Sequence, residues 1–368
     1  MTKILHVIDT TGPGGAETVF IELLSRSRSG MYEPVVVIRG HGWVYNELDR
    51  RGIKPYVFDA KGSFNFRYLF NLIKVIRKEK VSLIQAHLLG ASVYSVIAGF
   101  LTRIPVVVTL HGIVDVDNER FLSAKFFILS KLAGRIVLVS KDLMCRLKAL
   151  VPVNSDKLSV VYNGVDLESY KLEKHKKLKE ELGLKDDDII IGSVGNVRKA
   201  KAYDILLKAA SLLVRNESRV KFLIVGDNDN DLFQELLALR LRLGLQDAVY
   251  FLGFRQNVPE FLAGIDVFLL SSISEGCPVS VVEAMASEVP MVVTDCGGLS
   301  EMVEEGVTAV MCEPGSPVAL FEGVAHLLND ANLKEVLVAN ANKEASLRFS
   351  MEAMLDSYRS IYENLLAR

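Results

Sequence analysis

Cysteine is scarce in this chain of 368 residues, and neither sign of charge dominates it. The four cysteines, Cys145, Cys277, Cys296 and Cys312, lie far apart and show neither a CxxC pair nor the Cys/His spacing of a zinc site. We therefore expect free thiols in a reducing compartment. The 43 Lys and Arg residues nearly balance 45 Asp and Glu residues, so nothing in the net charge of −2 indicates nucleic-acid binding.

Long apolar runs are also absent. The longest uncharged stretch, Leu88 to Thr102, is shorter than a membrane-spanning helix and is closed by Arg103. The N-terminal sequence MTKILHVIDT is typical of a strand, because its apolar run is too short for a signal peptide. We expect a cytoplasmic protein. Two predicted helices, 66–80 and 123–133, place Lys or Arg beside apolar residues. They either lie peripherally on the inner face of the cell membrane or simply bury their apolar side in the core.

Short apolar runs alternate with helical patterns along the chain, which predicts an α/β fold of doubly wound parallel sheets. The length favours two domains. A highly charged segment, Lys171 to Asp188, follows the first half. We therefore predict an N-terminal domain at 1–170, a second domain at 171–347 and a C-terminal helix at 348–368.

The most informative stretch runs from Val267 to Val303. An apolar strand, Val267–Leu270, leads into a polar turn that ends at Glu275. A helix follows, with Pro278 in its first turn, where a missing N–H has no intrahelical partner. A second strand, Val289–Thr294, completes a strand–turn–helix–strand unit.

Two carboxylates in this stretch, Glu275 and Glu283, stand eight residues apart. The helix N-terminus between them offers unpaired N–H groups and a partial positive charge, which suits a phosphate. The carboxylates can then accept hydrogen bonds from hydroxyl groups on either side. Phosphate flanked by hydroxyls describes a sugar nucleotide. The alternative is a capping glutamate followed by a solvated one.

The turn Gly12–Gly15 follows the first strand and partly matches the dinucleotide pattern GxGxxG. Glu17 occupies the third glycine position, which weakens a nicotinamide interpretation. Either Gly14 and Gly15 let the backbone approach a ligand phosphate, or the turn is purely structural.

Two histidines end neighbouring predicted strands: His111 follows Val106–Leu110, and His87 follows Leu83–Ala86. A lone histidine at a strand end is usually an ordinary buried polar residue. Ligands bind at the carboxyl ends of parallel strands, however, so both are candidates. The polar loop Val114–Arg120 comes next.

The loop 195–204 carries Arg198, Lys199 and Lys201 between a strand and a helix, which suits a clamp for a diphosphate. We expect Lys199 to be solvated. The acidic turn 227–231 lacks the glycine and glutamate that a calcium loop of the EF-hand type needs. It is more typical of turn and N-cap groups, and we expect no metal site.

Together these segments resemble the retaining glycosyltransferases of family 4, which have the GT-B architecture. The matching segments are GGAE at 14–17, TLHG at 109–112, NGVD at 163–166, and E-x7-E with EAMA, GG and Glu301 at 275–301. The resemblance implies two Rossmann-like doubly wound domains facing a central cleft, with the last helix crossing back to the first domain. It implies sugar transfer from a nucleoside-diphosphate sugar to a glycan or lipid-linked acceptor, usually in the synthesis of surface polysaccharide or lipopolysaccharide.

The resemblance also implies roles for particular residues. His111 and Glu275 act at the reacting sugar. The donor diphosphate is held by Gly15, Arg198, Lys201, Val279 and Ser280. The donor sugar is held by Glu275, Cys277 and Pro278. The ribose and base are held by Glu283, Arg255 and Val258. His87 lies on the acceptor side. Domain closure brings Gly15 and His111 to the donor.

Two positions depart from the family pattern: Ala202 replaces a glycine, and Asn196 stands where an arginine is common, with Arg198 as its substitute. The resemblance implies no cofactor and no metal; the sugar nucleotide, with UDP favoured, is a co-substrate. The alternatives are another GT-B enzyme, such as a sugar-nucleotide epimerase, or a sugar-nucleotide-binding protein without turnover.

Overall fold

The computed structural model describes residues 2–27, 32–59, 65–112 and 121–367. The chain divides into two compact units: Met1–Asn163 together with Met351–Arg368, and Gly164–Ser350. The divisions thus fall after Asn163 and after Ser350. The predicted loop 114–120 lies outside the described residues.

In the described part of the first unit, seven parallel strands form one sheet in the order β3-β2-β1-β4-β5-β6-β7. The strands are β1 (Thr2–Ile8), β2 (Tyr32–Ile38), β3 (Tyr56–Val57), β4 (Leu83–His87), β5 (Val106–Leu110), β6 (Arg135–Leu138) and β7 (Leu158–Val160). The helices between them are α1 (Gly15–Ser27), α2 (Trp43–Arg50), α3 (Phe66–Glu79), α4 (Leu89–Thr102), α5 (Leu122–Leu132) and α6 (Lys141–Leu150). The order in which strands are added to the sheet reverses between β1 and β4. In the described ranges of the chain, no helix is long and apolar enough to cross a membrane.

The second unit repeats this plan with six parallel strands in the order β10-β9-β8-β11-β12-β13. The strands are β8 (Ile189–Val194), β9 (Val220–Val225), β10 (Val249–Phe251), β11 (Val267–Leu270), β12 (Met291–Thr294) and β13 (Val310–Cys312). Its helices are α7 (Lys177–Leu182), α8 (Tyr203–Asn216), α9 (Asp231–Arg242), α10 (Val258–Ala263), α11 (Val279–Ala286), α12 (Pro317–Asn329) and α13 (Ala331–Arg348). Both strand orders are those of the doubly wound Rossmann sheet, which confirms the predicted fold class.

The central strands explain why the sheets form. β4, β5, β11 and β12 are buried along their whole length, and β5 and β11 consist mainly of branched apolar residues. Strands covered by helices on both faces have this composition. In each sheet the polar residues therefore collect just beyond the strands, at the carboxyl edge where the strand order reverses.

The last helix, α14 (Met351–Leu366), belongs to the first unit. The Tyr362 hydroxyl donates to Oε1 of Gln85 on β4, and the Tyr358 hydroxyl lies 3.3 Å from Oγ1 of Thr109 on β5. All four side chains are buried. This helix therefore completes the core of the first sheet from the far end of the chain.

Candidate active site

A buried ion pair joins the two loops that leave β8 and β11. Lys201 Nζ donates to Oε1 of Glu275 at 2.7 Å, and the two side chains are only 16% and 12% exposed. The Ser272 hydroxyl donates to the same oxygen at 2.6 Å. The structure thus brings together two residues that are far apart in sequence, and it fixes the lysine where the strand order reverses.

Glycines allow this close approach. A Cβ on Gly195 would lie 2.6 Å from Cε of Lys201, so only glycine leaves room for the lysine stem. Gly297 has a φ of +57°, and a Cβ there would lie 2.2 Å from the Glu275 carbonyl oxygen. The adjacent N–H of Gly298 donates to that oxygen at 3.0 Å. The GG pair after β12 therefore holds the backbone of Glu275 in place.

Ala202, which replaces a glycine of the family pattern, lies at a strained backbone position. Ala202 ends the short 3₁₀ turn Lys199–Lys201 and caps α8 in the left-handed conformation, with φ +47° and ψ +46°. A residue with a Cβ is disfavoured there, which explains the glycine of the family pattern. Alanine keeps the turn at a cost in free energy.

Helix α11 begins one residue later than its sequence suggests. Pro278 is the residue before the helix, with ψ 114°, and Val279 is the first helical residue. The N–H of Val281 already donates to the Pro278 carbonyl at 3.1 Å. The N–H groups of Val279 and Ser280 precede the first intrahelical acceptor, so they are the ones available to an anion. Cys277 is buried beside this start.

Glu283 lies inside α11 and is 7% exposed. Its Oε1 accepts a hydrogen bond from the Tyr170 hydroxyl at 2.6 Å. Burial raises the pKa of Glu283, while the Tyr170 hydrogen bond and the positive charge of Lys201 oppose that rise. Glu283, Lys201 and Glu275 thus belong to one electrostatic cluster.

Tyr170 is a site residue that the sequence reasoning missed. It ends the turn Leu167–Tyr170, just after the NGVD segment and at the start of the charged run. In the sequence, Tyr170 is distinguished only as an aromatic residue directly before the charged run.

The remaining cation candidates differ in their surroundings. Arg198 is exposed, and its guanidinium forms no hydrogen bond or ion pair with any described residue, so this group can bind a ligand. Lys199 is exposed as well. Arg255 is held by Glu181, with Nη–Oε distances of 2.9 and 2.5 Å. Its side chain is therefore engaged, and Val258 is the first residue of α10.

The acidic turn after β9 is occupied by backbone contacts. Asn230 caps α9 by accepting from the Phe233 N–H, and its amide donates to the Val197 carbonyl. The Asp227 N–H donates to Oδ1 of Asn196. Within the described ranges, no group of three or more His, Cys, Asp or Glu side chains could hold a metal ion.

In the first unit, His87 and His111 contact each other directly. Nδ1 of His87 lies 3.0 Å from Nε2 of His111, and the rings stack with centroids 5.3 Å apart. Burial lowers the pKa of His111 to about 4. Burial, together with His111 and His6, lowers the pKa of His87 well below its usual range. Both rings are neutral near pH 7, and the fully buried His87 is placed to orient His111.

Gly15 is the first residue of α1, so its N–H also precedes any intrahelical acceptor. Asp9, directly after β1, was missed by the sequence reasoning. Its carboxylate accepts from the Ala91 N–H, and a Cβ on Gly90 would lie 2.0 Å from Oδ2. Burial raises the pKa of Asp9 to about 6, partly opposed by Arg39. The sequence feature that could have identified Asp9 is its position, as an acidic residue directly after the first strand.

Two family models match the chain. The model for glycosyl transferases group 1 matches residues 174–344, and the model for Glycosyltransferase Family 4 matches residues 13–169. The boundary between the matches falls in the charged segment near Lys171.

Curated relatives agree with the family models. The chain is 31% identical over 266 residues to an N-acetyl-alpha-D-glucosaminyl L-malate synthase of Bacillus anthracis, covering 72% of this chain and 69% of that protein. It is 27% identical over 318 residues to an Escherichia coli UDP-Gal:alpha-D-GlcNAc-diphosphoundecaprenol alpha-1,3-galactosyltransferase, covering 82% of this chain and 80% of that enzyme.

Among solved structures, Anabaena Alr3699/HepE in complex with UDP-glucose superposes with a TM-score of 0.88 at 26% identity, covering 100% of both chains. The lipopolysaccharide glycosyltransferase WaaG, at 14% identity, has a TM-score of 0.76 and shares the fold. From its two sheets, the family models and these relatives, the chain belongs to the group 1 (family 4) glycosyltransferases of GT-B fold.

Proposed function

We propose that this protein is a retaining hexosyltransferase that moves a sugar from a UDP-sugar to a glycan or lipid-linked acceptor in the synthesis of surface polysaccharide or lipopolysaccharide. The observation that carries the proposal is the buried Lys201–Glu275 pair beside the start of α11. A lysine ammonium has three donors, and Glu275 uses one of them. The others remain for a diphosphate.

The diphosphate is stabilised by Lys201, by Arg198 and by the N–H groups of Val279 and Ser280. These groups oppose the negative charge that grows on the leaving diphosphate as the glycosidic bond breaks. Because Lys201 is shielded from solvent, its charge acts more strongly there than it does in water. Gly15 on the first unit has the same kind of free N–H at a helix start and is assigned to the diphosphate as well.

The two carboxylates serve the two ends of the donor. Glu275 has a second oxygen for a sugar hydroxyl, and its negative charge favours the positive charge that develops on the sugar ring. Cys277 and Pro278 line the same turn. Glu283 accepts from the ribose hydroxyls beside Tyr170, and the base rests on the main chain near Arg255 and Val258. His111 contacts the sugar as a neutral imidazole. We assign no covalent nucleophile and no metal.

The donor and acceptor classes are supported by the relatives. Alr3699/HepE was solved with UDP-glucose and with UDP and glucose. The Escherichia coli relative is named as a galactosyltransferase that uses UDP-Gal and a diphosphoundecaprenol acceptor. A Campylobacter jejuni relative, 28% identical, is likewise named for a diphospho-undecaprenol acceptor. A UDP-sugar and a lipid-linked glycan are therefore the first substrates to test.

The test compares Lys201→Ala with Lys199→Ala, two lysines of the same turn. Removing the Lys201 donor should weaken UDP-sugar binding by about 1.5–3 kcal/mol, roughly a 10- to 150-fold rise in Kd. The exposed Lys199 should tolerate the change with less than a twofold effect. Calorimetric titration with UDP-, GDP- and ADP-sugars measures both, and the thermal transition checks folding. Equal Kd values for the two variants would contradict the clamp.

Turnover separates a transferase from a binding protein. A transferase releases UDP only when the acceptor is present at its working concentration, and NMR of the product shows the donor's anomeric configuration retained. Release of an epimerised sugar nucleotide would identify the epimerase alternative, and binding without UDP release at any acceptor would leave a sensor.

A further inference from the structure

A direct contact between ring nitrogens joins His87, the last residue of β4, to His111, which follows β5. Nδ1 of His87 lies 3.0 Å from Nε2 of His111, which is a hydrogen-bond distance. Because burial lowers the pKa of both rings, each carries a single proton near pH 7. One of the two contacting nitrogens must therefore donate and the other accept. The direction of this bond decides which nitrogen of His111 is protonated.

His87 is enclosed on several sides. It pairs with Ile8 on β1 and with Thr109 on β5, and the Phe20 ring of α1 meets its ring edge to face, with centroids 5.1 Å apart. The residue is 0% exposed. Its second ring nitrogen, Nε2, is buried and has no hydrogen-bond partner in the described part of the chain. His111 is partly exposed, because it lies beyond the carboxyl end of its strand.

The two possible directions of the bond place the remaining N–H group at opposite ends of the pair. If His111 donates, the proton of His87 lies on Nε2, where a fully buried N–H has no acceptor. If His87 donates, its Nε2 is a lone pair, and the remaining N–H belongs to Nδ1 of His111, at the edge of the sheet where ligands bind. A buried N–H without an acceptor loses the hydrogen bond that it makes in water, and such groups are rare in proteins. The second direction is therefore favoured.

We propose that His87 is a positioning residue, which donates from Nδ1 to Nε2 of His111 and so fixes the tautomer of His111 with its proton on Nδ1. This inference rests on the proposed function, in which His111 contacts the donor sugar. His111 then offers an N–H donor for a sugar oxygen, and it adds no positive charge beside a ring on which positive charge develops. Its Nε2 lone pair is engaged by His87, so His111 does not act as a general base.

NMR of the full chain with isotope-labelled histidine measures the tautomer, because the ring nitrogen and Cδ2 shifts differ between the two neutral forms. The chain has six histidines, and single substitutions assign the signals of His87 and His111. The wild type should show His111 protonated on Nδ1 near pH 7. His87→Leu removes the donor and should give a mixture of tautomers. His87→Asn should keep the wild-type tautomer, because its amide nitrogen can occupy the place of the ring Nδ1.

Turnover of the same variants separates positioning from packing. His87→Leu should lower kcat about tenfold or more, while the Kd for the UDP-sugar stays within about threefold, because the diphosphate and ribose groups belong to the second unit. His87→Asn should recover kcat to within about threefold of the wild type. The matched control is His6→Leu, which changes another buried histidine of the same sheet and should alter neither the tautomer nor kcat. Circular dichroism and the thermal transition establish that the variants fold.

A wild-type His111 protonated on Nε2 would overturn the proposal. So would equal losses of kcat in His87→Leu and His6→Leu, or a His87→Asn variant no more active than His87→Leu. The tautomer is measured without an acceptor or turnover, so the two failures are distinguishable. A chain with the expected tautomer that never releases UDP would count against the transferase function, whereas turnover with the other tautomer would count against the role of His87.

Discussion

At the residue scale, Glu283 is a carboxyl group whose ionisation the fold makes costly. It is buried, its pKa is raised, and its nearest stabilising groups are the Tyr170 hydroxyl and the charge of Lys201. A structural role alone would not require an ionised carboxylate here, because a neutral amide could accept the same Tyr170 hydrogen bond. A carboxyl group is present here although burial disfavours its ionisation, and the ribose contact proposed above gives a reason for it.

Glu283→Gln should separate binding from stability. The amide oxygen keeps the Tyr170 contact, and the substitution removes a carboxyl group whose ionisation is opposed by burial, so the free energy of unfolding at pH 7.5 should stay equal or rise. Loss of a charged acceptor should weaken UDP-sugar binding by about 1.5 kcal/mol or more, over tenfold in Kd. Titration calorimetry and urea unfolding measure the two quantities. Glu260→Gln, an exposed change on α10, is the control and should alter neither. An unchanged Kd would remove Glu283 from the donor site.

The raised pKa of Asp9 predicts that the free energy of unfolding depends on pH. Its folded pKa of about 6 exceeds the ordinary value of 3.8, mainly because of burial. Its contribution to stability is therefore complete below about pH 4 and is lost as the pH rises through 6. Asp9→Asn keeps an acceptor for the Ala91 N–H and removes that loss.

Urea unfolding of the wild type and Asp9→Asn at pH 4.5, 5.5, 6.5 and 7.5 tests this prediction. Between pH 4.5 and pH 7.5, the free energy of unfolding of the variant should increase relative to that of the wild type by about 2 kcal/mol. His6, His87 and His111 titrate in both proteins, so their effects cancel in the difference. A difference that is constant with pH would mean that Asp9 has an ordinary pKa.

The residues predicted from the sequence were those with a local pattern. Lys201, Glu275 and Glu283 stand at fixed places around strand ends and a helix start, and the structure brings them into one cluster. Tyr170 and Asp9 could not be found in this way, because their partners are made by tertiary packing: Tyr170 meets a helix 113 residues away, and Asp9 meets the start of α4. The contact between His87 and His111 required the pairing of β4 with β5, which only the sheet supplies.

At the element scale, the turn from β8 into α8 contains a strained residue, at a position where the sequence departs from the family's glycine. Ala202 takes a left-handed conformation, which costs a residue with a Cβ about 1–2 kcal/mol. Alternating strands and helices were predictable from apolar periodicity, and both sheets follow that prediction. The start of α11 was misplaced by one residue, because Pro278 suits the residue before a helix as well as its first turn. Sequence preference does not separate those two positions.

Ala202→Gly should raise the free energy of unfolding by about 1 kcal/mol, since glycine relieves the strain and loses part of the gain to chain entropy. The thermal midpoint should rise by roughly 2–4 °C for a unit of this size. The control Ala238→Gly, within α9, should lower the free energy by about 1 kcal/mol, because its backbone is helical. Scanning calorimetry measures both. A shift of the same sign in the two variants would show that the turn is unstrained.

At the scale of the whole molecule, the two units differ in how the chain builds them. The second is one continuous segment, Gly164–Ser350, and contains its complete six-stranded sheet. The first is discontinuous and needs α14, whose Tyr358 and Tyr362 reach the buried polar groups of β4 and β5. Stability of the first unit therefore depends on the last sixteen helical residues of the chain.

A chain truncated after Ser350 should lose the first unit and keep the second. Removing buried aromatic residues of this size costs about 3–5 kcal/mol each, and two of them approach the whole stability of a typical domain. The truncated chain should show a single thermal transition with a smaller unfolding enthalpy than the full chain, and proteolysis should leave a fragment close to 164–350.

UDP at a hundred times its dissociation constant should still stabilise the second unit by about 2.7 kcal/mol, because Lys201, Glu275 and Glu283 all lie within that unit. A chain ending at Leu366 is the control and should match the wild type. If truncation instead abolishes the UDP-dependent shift, the donor site needs the first unit to form, and the clamp around Lys201 is insufficient for binding by itself.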